Sequence, residues 1–171
     1  MFMNYWRKDK MNLMFDLETL GNTYGVIVQI GACYFTNSIH ETFLVNVSIK
    51  SCLERGLRVD ASNLKFWFEH QPTWLKNTIQ ITKALEEFRK FCALHPCPVW
   101  SHQYDISVLS SVCEHLQIKM PFPYRQWRDI NTLLYLTNFK PPKSPKSHNA
   151  LDDAQRQATT IAPLLTQYLQ T

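Results

Sequence analysis

The sequence lacks the features of a secreted or membrane-inserted protein. Its first residues contain no apolar stretch with a small-residue cleavage site, so we expect no signal peptide. No apolar run approaches the roughly 20 residues that a bilayer-spanning helix needs. The five cysteines are odd in number and irregular in spacing, which does not indicate a disulfide framework. We therefore expect a soluble protein of the reducing cytoplasm.

The chain also lacks internal repeats, extreme charge and the length for two ordinary domains. Its 171 residues are 45% hydrophobic and 13% aromatic, which is enough to bury one core. The formal net charge of +4 permits a polyanionic partner without requiring one. We expect a single domain over residues 11–171, preceded by a basic, aromatic arm at residues 1–10.

Three β-strands are predicted in the first 50 residues. Residues 11–17 are mostly apolar, residues 26–35 are rich in Val and Ile, and residues 42–49 alternate in polarity. Gly21 and Gly25 bracket the first connection, which is too short for a helix. The first two strands are therefore expected to form a hairpin.

Helical spacing dominates the rest of the chain. It is seen at residues 63–70 and 73–79, and Thr82 is expected to cap a helix that ends near Leu94. A short strand is predicted at residues 99–100. Later helices are predicted at residues 105–116, at 129–136 and from His148 or Asn149 to about Leu169, with a Pro, Lys and Ser loop at 140–147. This order predicts an α/β sandwich layered around one sheet.

A pair of carboxylates ends the first predicted strand. Asp16 and Glu18 stand at positions i and i+2, so both side chains point to the same face of the sheet. Two neighbouring carboxylates repel each other and lose solvation unless a cation neutralises them. The pair therefore indicates a metal site; the alternative is a strand end that faces solvent.

Asp105 follows the short strand at residues 99–100 and stands near the start of a predicted helix. Ligands of α/β sheets collect at the carboxyl ends of the strands, which makes Asp105 a candidate for the same site. The alternative is a structural one, because a helix N-terminus favours a carboxylate without any ligand.

His148, Asp152 and Asp153 stand where the loop meets the last helix. If His148 is helical, Asp152 at i+4 shares its face, whereas Asp153 at i+5 is rotated by about 140°. A histidine on the preceding loop escapes this constraint. Its imidazole, with an ordinary pKa of about 6.5, suits a general base. A plain surface histidine is the alternative.

Four candidate zinc ligands fall within eleven residues: Cys92, His95, Cys97 and His102. Their spacing differs from the common zinc-binding patterns, two prolines stiffen the segment, and cysteine often serves as a small buried hydrophobic residue. A zinc-stabilised interaction module is kept as an alternative.

Four ordered motifs together resemble those of the DEDDh 3'-5' exonucleases, the relatives of RNase T, oligoribonuclease and proofreading subunits. The motifs are residues 16–19, 100–105 with Leu109, 128–129 with 132–133, and 148–154. The resemblance covers about residues 11–162. The sequence HNALDDA at residues 148–154 looks closest to the compact phage and bacterial branch of the family.

The resemblance implies an RNase H-like fold, with a mixed five-stranded sheet flanked by helices. It implies that two Mg²⁺ or Mn²⁺ ions are held by Asp16, Glu18, Asp105 and Asp153, that His148 is the general base, and that Asp152 only flanks the site. Contacts with the terminal nucleotide are implied for Thr19 and Leu20. His102 and Tyr104 beside Asp105 are further candidates, although Gly or Asn is common in the family where Ser101 and His102 stand here.

The expected reaction is the metal-dependent hydrolysis of single-stranded RNA or DNA from a free 3' end to 5'-monophosphates, in a bacterial or phage-infected cell. Candidate substrate contacts are the aromatic residues Tyr24, Trp67, Tyr104 and Trp127, which could stack bases, and the lysines Lys140, Lys143 and Lys146. Core packing is the alternative for Trp67 and Trp127. A proofreading or trimming module of a larger complex, a non-catalytic binding domain and a homodimer are further possibilities.

Overall fold

The computed structural model describes residues 11–70, 76–142 and 148–168. The strands are β1 (Asn12–Thr19), β2 (Ile27–Phe35), β3 (Ile39–Val47), β4 (Thr78–Ile79), β5 (Val99–Ser101) and β6 (Trp127–Asp129). The helices are α1 (Ile49–Glu54), α2 (Ala61–Phe68), α3 (Ile81–Cys92), α4 (Gln103–His115), α5 (Ile130–Leu136) and α6 (Ala150–Tyr168). The arm predicted at residues 1–10 lies outside the described residues.

The strands form one mixed sheet in the order β4-β3-β2-β1-β5-β6. β1 pairs with β2 and β2 with β3 in antiparallel fashion, while β5 runs parallel to both β1 and β6. This confirms the predicted α/β architecture and the first hairpin. The parallel β1, β5 and β6 end at the same edge of the sheet, which brings their carboxyl-terminal residues close together.

The described sheet has six strands, one more than the five that the resemblance implied. Thr78 and Ile79 were predicted to be helical, but they pair with Asn46 and Val47 at the end of β3. The Asn46 amide also donates a hydrogen bond to the carbonyl of Lys76 (2.8 Å). A two-residue strand is too short to show a periodicity of its own, so only its partner defines it.

Several helix boundaries differ from the predicted ones. α3 begins at Ile81 after the capping residue Gln80, so Thr82 is not the cap. α1 was not predicted at all; the Ser48 side chain caps it by accepting a hydrogen bond from the backbone of Ser51. Part of the predicted loop at residues 140–147 lies outside the described residues, because the description ends at residue 142 and resumes at 148.

The sheet separates two apolar layers. Leu13 and Phe15 of β1 belong to the larger layer, which contains the buried residues of α3 and α4. Met14, between them, belongs to a smaller layer with Ala154 and Ala158 of α6. Because side chains alternate along a strand, Asp16 and Glu18, two and four positions after Met14, also point to the face that α6 covers.

α6 lies unusually close to β2 where the two cross. A Cβ atom added to Gly31 would stand 2.2 Å from the backbone of Ala150, so only glycine allows this approach. The buried Gln29 side chain accepts a hydrogen bond from the backbone N–H of Ala150 (2.8 Å) and donates one to Asn46 (2.8 Å). Gly31 pairs with Asp16 across the sheet, so the first turn of α6 is held over the end of β1.

All five cysteines are buried and none of them forms a disulfide bond. Among the described residues, no helix has the length and apolarity that a membrane span requires.

The close approach at Gly31 predicts a strong effect of a single methyl group. Gly31→Ala should lower the free energy of unfolding by about 1–3 kcal/mol, because the methyl group overlaps the backbone of α6 and the helix must shift. Urea denaturation measures the change. Ser38→Thr, which adds one methyl group at an exposed turn, is the matched control and should leave stability nearly unchanged. Equal stability of the two variants would contradict the prediction.

Candidate active site

Three carboxylates meet under the first turn of α6. One oxygen each from Asp16, Glu18 and Asp153 lies within 4.8 Å of the others, and the described residues contain no second such group of Asp, Glu, His or Cys. Asp16 and Glu18 end β1, and both are only 9% exposed. The strand-end pair therefore does not face solvent, and α6 supplies the third acid.

Asp105 borders this cluster without belonging to the 4.8 Å group. It is the third residue of α4 and is 4% exposed. Burial raises the pKa of Asp105 to about 7, and the backbone of His102 and Leu17 offsets part of this rise. The charge of Asp105 raises the pKa of Asp16, and the charge of Glu18 raises the pKa of Asp105, so the fourth predicted acid is also close. The helix cap is His102, whose pKa is lowered by burial.

The carboxylates are held in an electrostatically unfavourable state. Burial raises the pKa of Glu18 to about 8, with smaller contributions from the charges of Asp16 and Asp153. Burial followed by the charge of Asp105 raises the pKa of Asp16 well above its ordinary value. Divalent cations would relieve this repulsion, and a site made only of carboxylate oxygens suits hard ions such as Mg²⁺ or Mn²⁺.

Two further side chains of α6 support the acids, and sequence reasoning missed both. The Gln157 amide donates a hydrogen bond to Asp16 (2.8 Å), and the Arg156 guanidinium donates one to Asp153. Asp153, Arg156 and Gln157 stand at i, i+3 and i+4, so they share one face of the helix. That spacing was visible in the sequence once Asp153, rather than Asp152, was taken as the acid.

A cleft of about 310 Å³ opens beside the carboxylates. Its lining residues come from the end of β1, from α2 and from the start of α4: Leu17, Glu18, Thr19, Ser62, Asn63, Phe66, Trp67 and Tyr104. The indole N–H of Trp67 donates to the carbonyl of Thr19 (3.0 Å), which ties α2 to β1. The cleft therefore begins at Glu18 of the carboxylate cluster and continues into a pocket that is lined by aromatic and polar side chains.

Polar groups converge on one wall of this cleft. The Tyr104 hydroxyl is hydrogen-bonded to the hydroxyl of Thr19 (2.8 Å) and donates to the carbonyl of Gly21 (3.3 Å). The amide of Asn63 donates to the same Tyr104 hydroxyl (3.5 Å). Leu20, the other predicted contact of the terminal nucleotide, is 3% exposed and lies in the core.

His148 lies on the loop before α6 and not within the helix. Its backbone has a φ of 45°, and its half-buried ring packs against the rings of Phe66 (4.8 Å between centroids) and His70 (4.5 Å). The preference for Asp152 required a helical His148, so it does not apply. Asp152 is exposed, whereas Asp153 points to the acidic cluster.

The other predicted nucleic-acid contacts are dispersed. Tyr24 is half-buried against His115, and the indole of Trp127 donates to the hydroxyl of Ser101 (2.9 Å). Lys140 is exposed. The other two lysines of the predicted basic loop, Lys143 and Lys146, lie outside the described residues.

The alternative zinc site is not assembled. All four of its candidate ligands are described, yet they do not form a group of ligand atoms. Burial raises the pKa of Cys97 to about 12, which disfavours the thiolate that zinc requires. His95 instead contacts Glu41 (3.3 Å) and packs its ring on Tyr34.

Comparisons with known proteins agree with this geometry. The sequence model of one protein family, the 3'-5' exoribonuclease Rv2179c-like domain, matches residues 11–165 of this chain. This match confirms the expected family of 3'-5' exonucleases. No curated protein matched the chain.

The fold is also similar to part of exonuclease I. The structure of E. coli exonuclease I with a 5cy-dT13 oligonucleotide matches with a TM-score of 0.61 and 11% identity, over 94% of this chain and 43% of that one. A product-bound exonuclease I matches with a TM-score of 0.63 and 9% identity, over 94% and 46% of the two chains. The chain thus spans less than half of the exonuclease I chains.

The raised carboxylate pKa values predict how the metal-free protein responds to pH. The folded-state pKa of Glu18 is about 8 against an ordinary value of 4.5. The contribution of Glu18 to stability is therefore fully present below its unfolded pKa and is lost as pH rises to about 8. The unfolding temperature measured in EDTA should fall over that window, and Mn²⁺ should raise it more near the upper end.

Asp16→Asn tests the cause of this behaviour. The variant removes one of the repelling charges, so it should unfold at a higher temperature than the wild type in EDTA at about pH 8. It should also lose most of the stabilisation by Mn²⁺. An equal metal-induced shift in the variant and the wild type would contradict the assignment of Asp16 to the metal site.

Proposed function

Because the chain belongs to the family of Rv2179c-like 3'-5' exoribonuclease domains, we propose that it hydrolyses single-stranded nucleic acid from a free 3' end and releases 5'-monophosphates. The observation that carries the proposal is the convergence of Asp16, Glu18 and Asp153 beside an open cleft. A non-catalytic binding domain would have no need to bring three acids together, two of them buried.

The acidic residues would hold two divalent cations. Asp16, Glu18 and Asp153 offer oxygen atoms close enough to share an ion, and Asp105 adds a fourth carboxylate at their border. Oxygen ligands favour Mg²⁺ or Mn²⁺ over zinc. When bound, a pair of such ions stabilises the attacking and leaving oxygens of a phosphodiester.

His148 would take the proton from the attacking water. An imidazole titrates near neutral pH, which suits this role. Its ring is placed by Phe66 and Trp67, and the same two side chains line the cleft. His148 thus contacts two residues that line the cleft, and it stands on the loop that leads directly to the helix carrying Asp153.

The cleft would receive the 3'-terminal nucleotide. Phe66 and Tyr104 are 37% and 43% exposed and can present ring faces to a base. The hydroxyls of Thr19 and Tyr104, with the amide of Asn63, offer donors and acceptors to a sugar. A duplex end would keep its bases paired, whereas a single strand leaves the terminal base free to enter.

Digestion of 5'-labelled RNA and DNA oligonucleotides tests the activity. With Mg²⁺ or Mn²⁺, the wild type should produce a ladder that shortens from the 3' end, and EDTA should abolish it. Asp153→Ala should lower the rate by at least about 100-fold, since it removes a metal ligand. Asp152→Ala, one residue away and exposed, is the matched control and should keep activity. Intact wild-type substrate with either metal would instead favour a binding domain.

His148→Ala tests the general base. Turnover should fall by about 10²- to 10⁴-fold, because the proton of the attacking water loses its acceptor. The unfolding temperature should still rise with Mn²⁺, since the carboxylates are intact. His40→Ala, an exposed histidine on β3, serves as the control. Full turnover in His148→Ala would remove this residue from the mechanism.

A further inference from the structure

A cation of the protein itself lies inside the acidic site. The guanidinium of Arg156 forms an ion pair with Asp153. Burial raises the pKa of Asp16 and lowers that of His102, and the positive charge of Arg156 makes a smaller, lowering contribution to both, so the guanidinium lies near both groups. Arg156 stands three residues after Asp153 on the same face of α6.

We infer that Arg156 is the internal counter-ion of the metal-free site, and that it binds the phosphodiester of the nucleic acid once metal ions replace it at Asp153. The phosphodiester contact rests on the proposed function. The role of counter-ion concerns the protein alone and does not depend on any substrate.

Arg156 competes with a metal ion for the same carboxylate. Asp153 is one of the three acids whose oxygens lie within 4.8 Å, and its Oδ1 accepts the hydrogen bond from Arg156. A guanidinium stays protonated at any pH that the protein meets, so it cannot leave by losing its charge. Metal binding must therefore weaken the ion pair or displace the guanidinium.

Charge balance favours an anion as the partner of Arg156 after metal binding. Two divalent cations would neutralise the four carboxylates, which weakens the attraction between Arg156 and Asp153. A phosphodiester carries one negative charge. The planar guanidinium can also donate two parallel hydrogen bonds to phosphate oxygens, a geometry that lysine does not offer.

The position of Arg156 suits a phosphate more than a base. Its side chain is 34% exposed, so it can be reached from solvent, while Asp153 beneath it is 15% exposed. Arg156 does not line the cleft proposed for the terminal nucleotide. It pairs instead with Asp153, and its charge reaches His102, the cap of α4, so it stands beside the carboxylates where the scissile phosphate would bind.

Calorimetric titration with Mn²⁺, without nucleic acid, tests the counter-ion. Arg156→Gln should bind Mn²⁺ about two- to fivefold more tightly than the wild type, because the competing cation is gone. Arg89→Gln removes the same charge from an exposed position on α3 and should leave the affinity unchanged. Unchanged or weaker Mn²⁺ binding by Arg156→Gln would overturn the inference, since a merely structural arginine gives one of these results.

Steady-state hydrolysis of an oligonucleotide at saturating Mn²⁺ tests the phosphate contact. Arg156→Gln should lower kcat/KM by about tenfold or more, the loss expected for one charged hydrogen-bonding partner. Arg156→Lys keeps the positive charge and should therefore retain part of the kcat/KM that Arg156→Gln loses. Tighter metal binding with unchanged kcat/KM would refute the phosphate contact. A wild type that binds Mn²⁺ but hydrolyses nothing would refute the proposed function and leave the counter-ion standing.

Discussion

The site depends on one close contact, the seating of α6 on β2 at Gly31. The absence of a side chain there lets the backbone of Ala150 approach the sheet, and the buried amide of Gln29 fixes the helix by accepting its first N–H. The Asn149 side chain caps the same turn by accepting hydrogen bonds from the backbone of Leu151 (3.1 Å) and of Asp152 (3.2 Å). Because this turn is held in place, Asp153 lies next to the acids of β1. The contacts that pack α6 on the sheet therefore also assemble the carboxylate cluster.

The fold keeps the acids together against their mutual repulsion. Asp16 and Glu18 are buried, and their raised pKa values measure how unfavourable their charges are without a cation. Gln157 and Arg156 offset part of this by donating to Asp16 and Asp153. Divalent cations stabilise such a site more than one arginine does, because each ion carries two positive charges. The same unfavourable state that weakens the metal-free fold therefore provides the affinity for metal.

Much of the fold could be predicted because its signals are local. The apolar runs of β1 and β2, with the short connection at Gly21 and Gly25, led to the hairpin that the structure contains. The strand Thr78–Ile79 was missed, because its two residues are defined by hydrogen bonds to β3 and not by their own pattern. The short β6 was missed too, since its partner residues in β5 lie 28 positions earlier in the chain.

The sequence by itself determined that Asp16 and Glu18 share a face, since alternation along a strand follows from backbone geometry. The ordered motifs also identified the family, which the matched domain bears out. Periodicity favoured Asp152, whereas the family motif implied Asp153, and the tertiary structure brings Asp153 to the acids of β1. Only the tertiary structure decided that Gln157 contacts Asp16. The contacts of Asp153 and Gln157 with the acids of β1 join residues more than 130 positions apart through the packing of α6 on the sheet, and no local periodicity records where two distant elements touch.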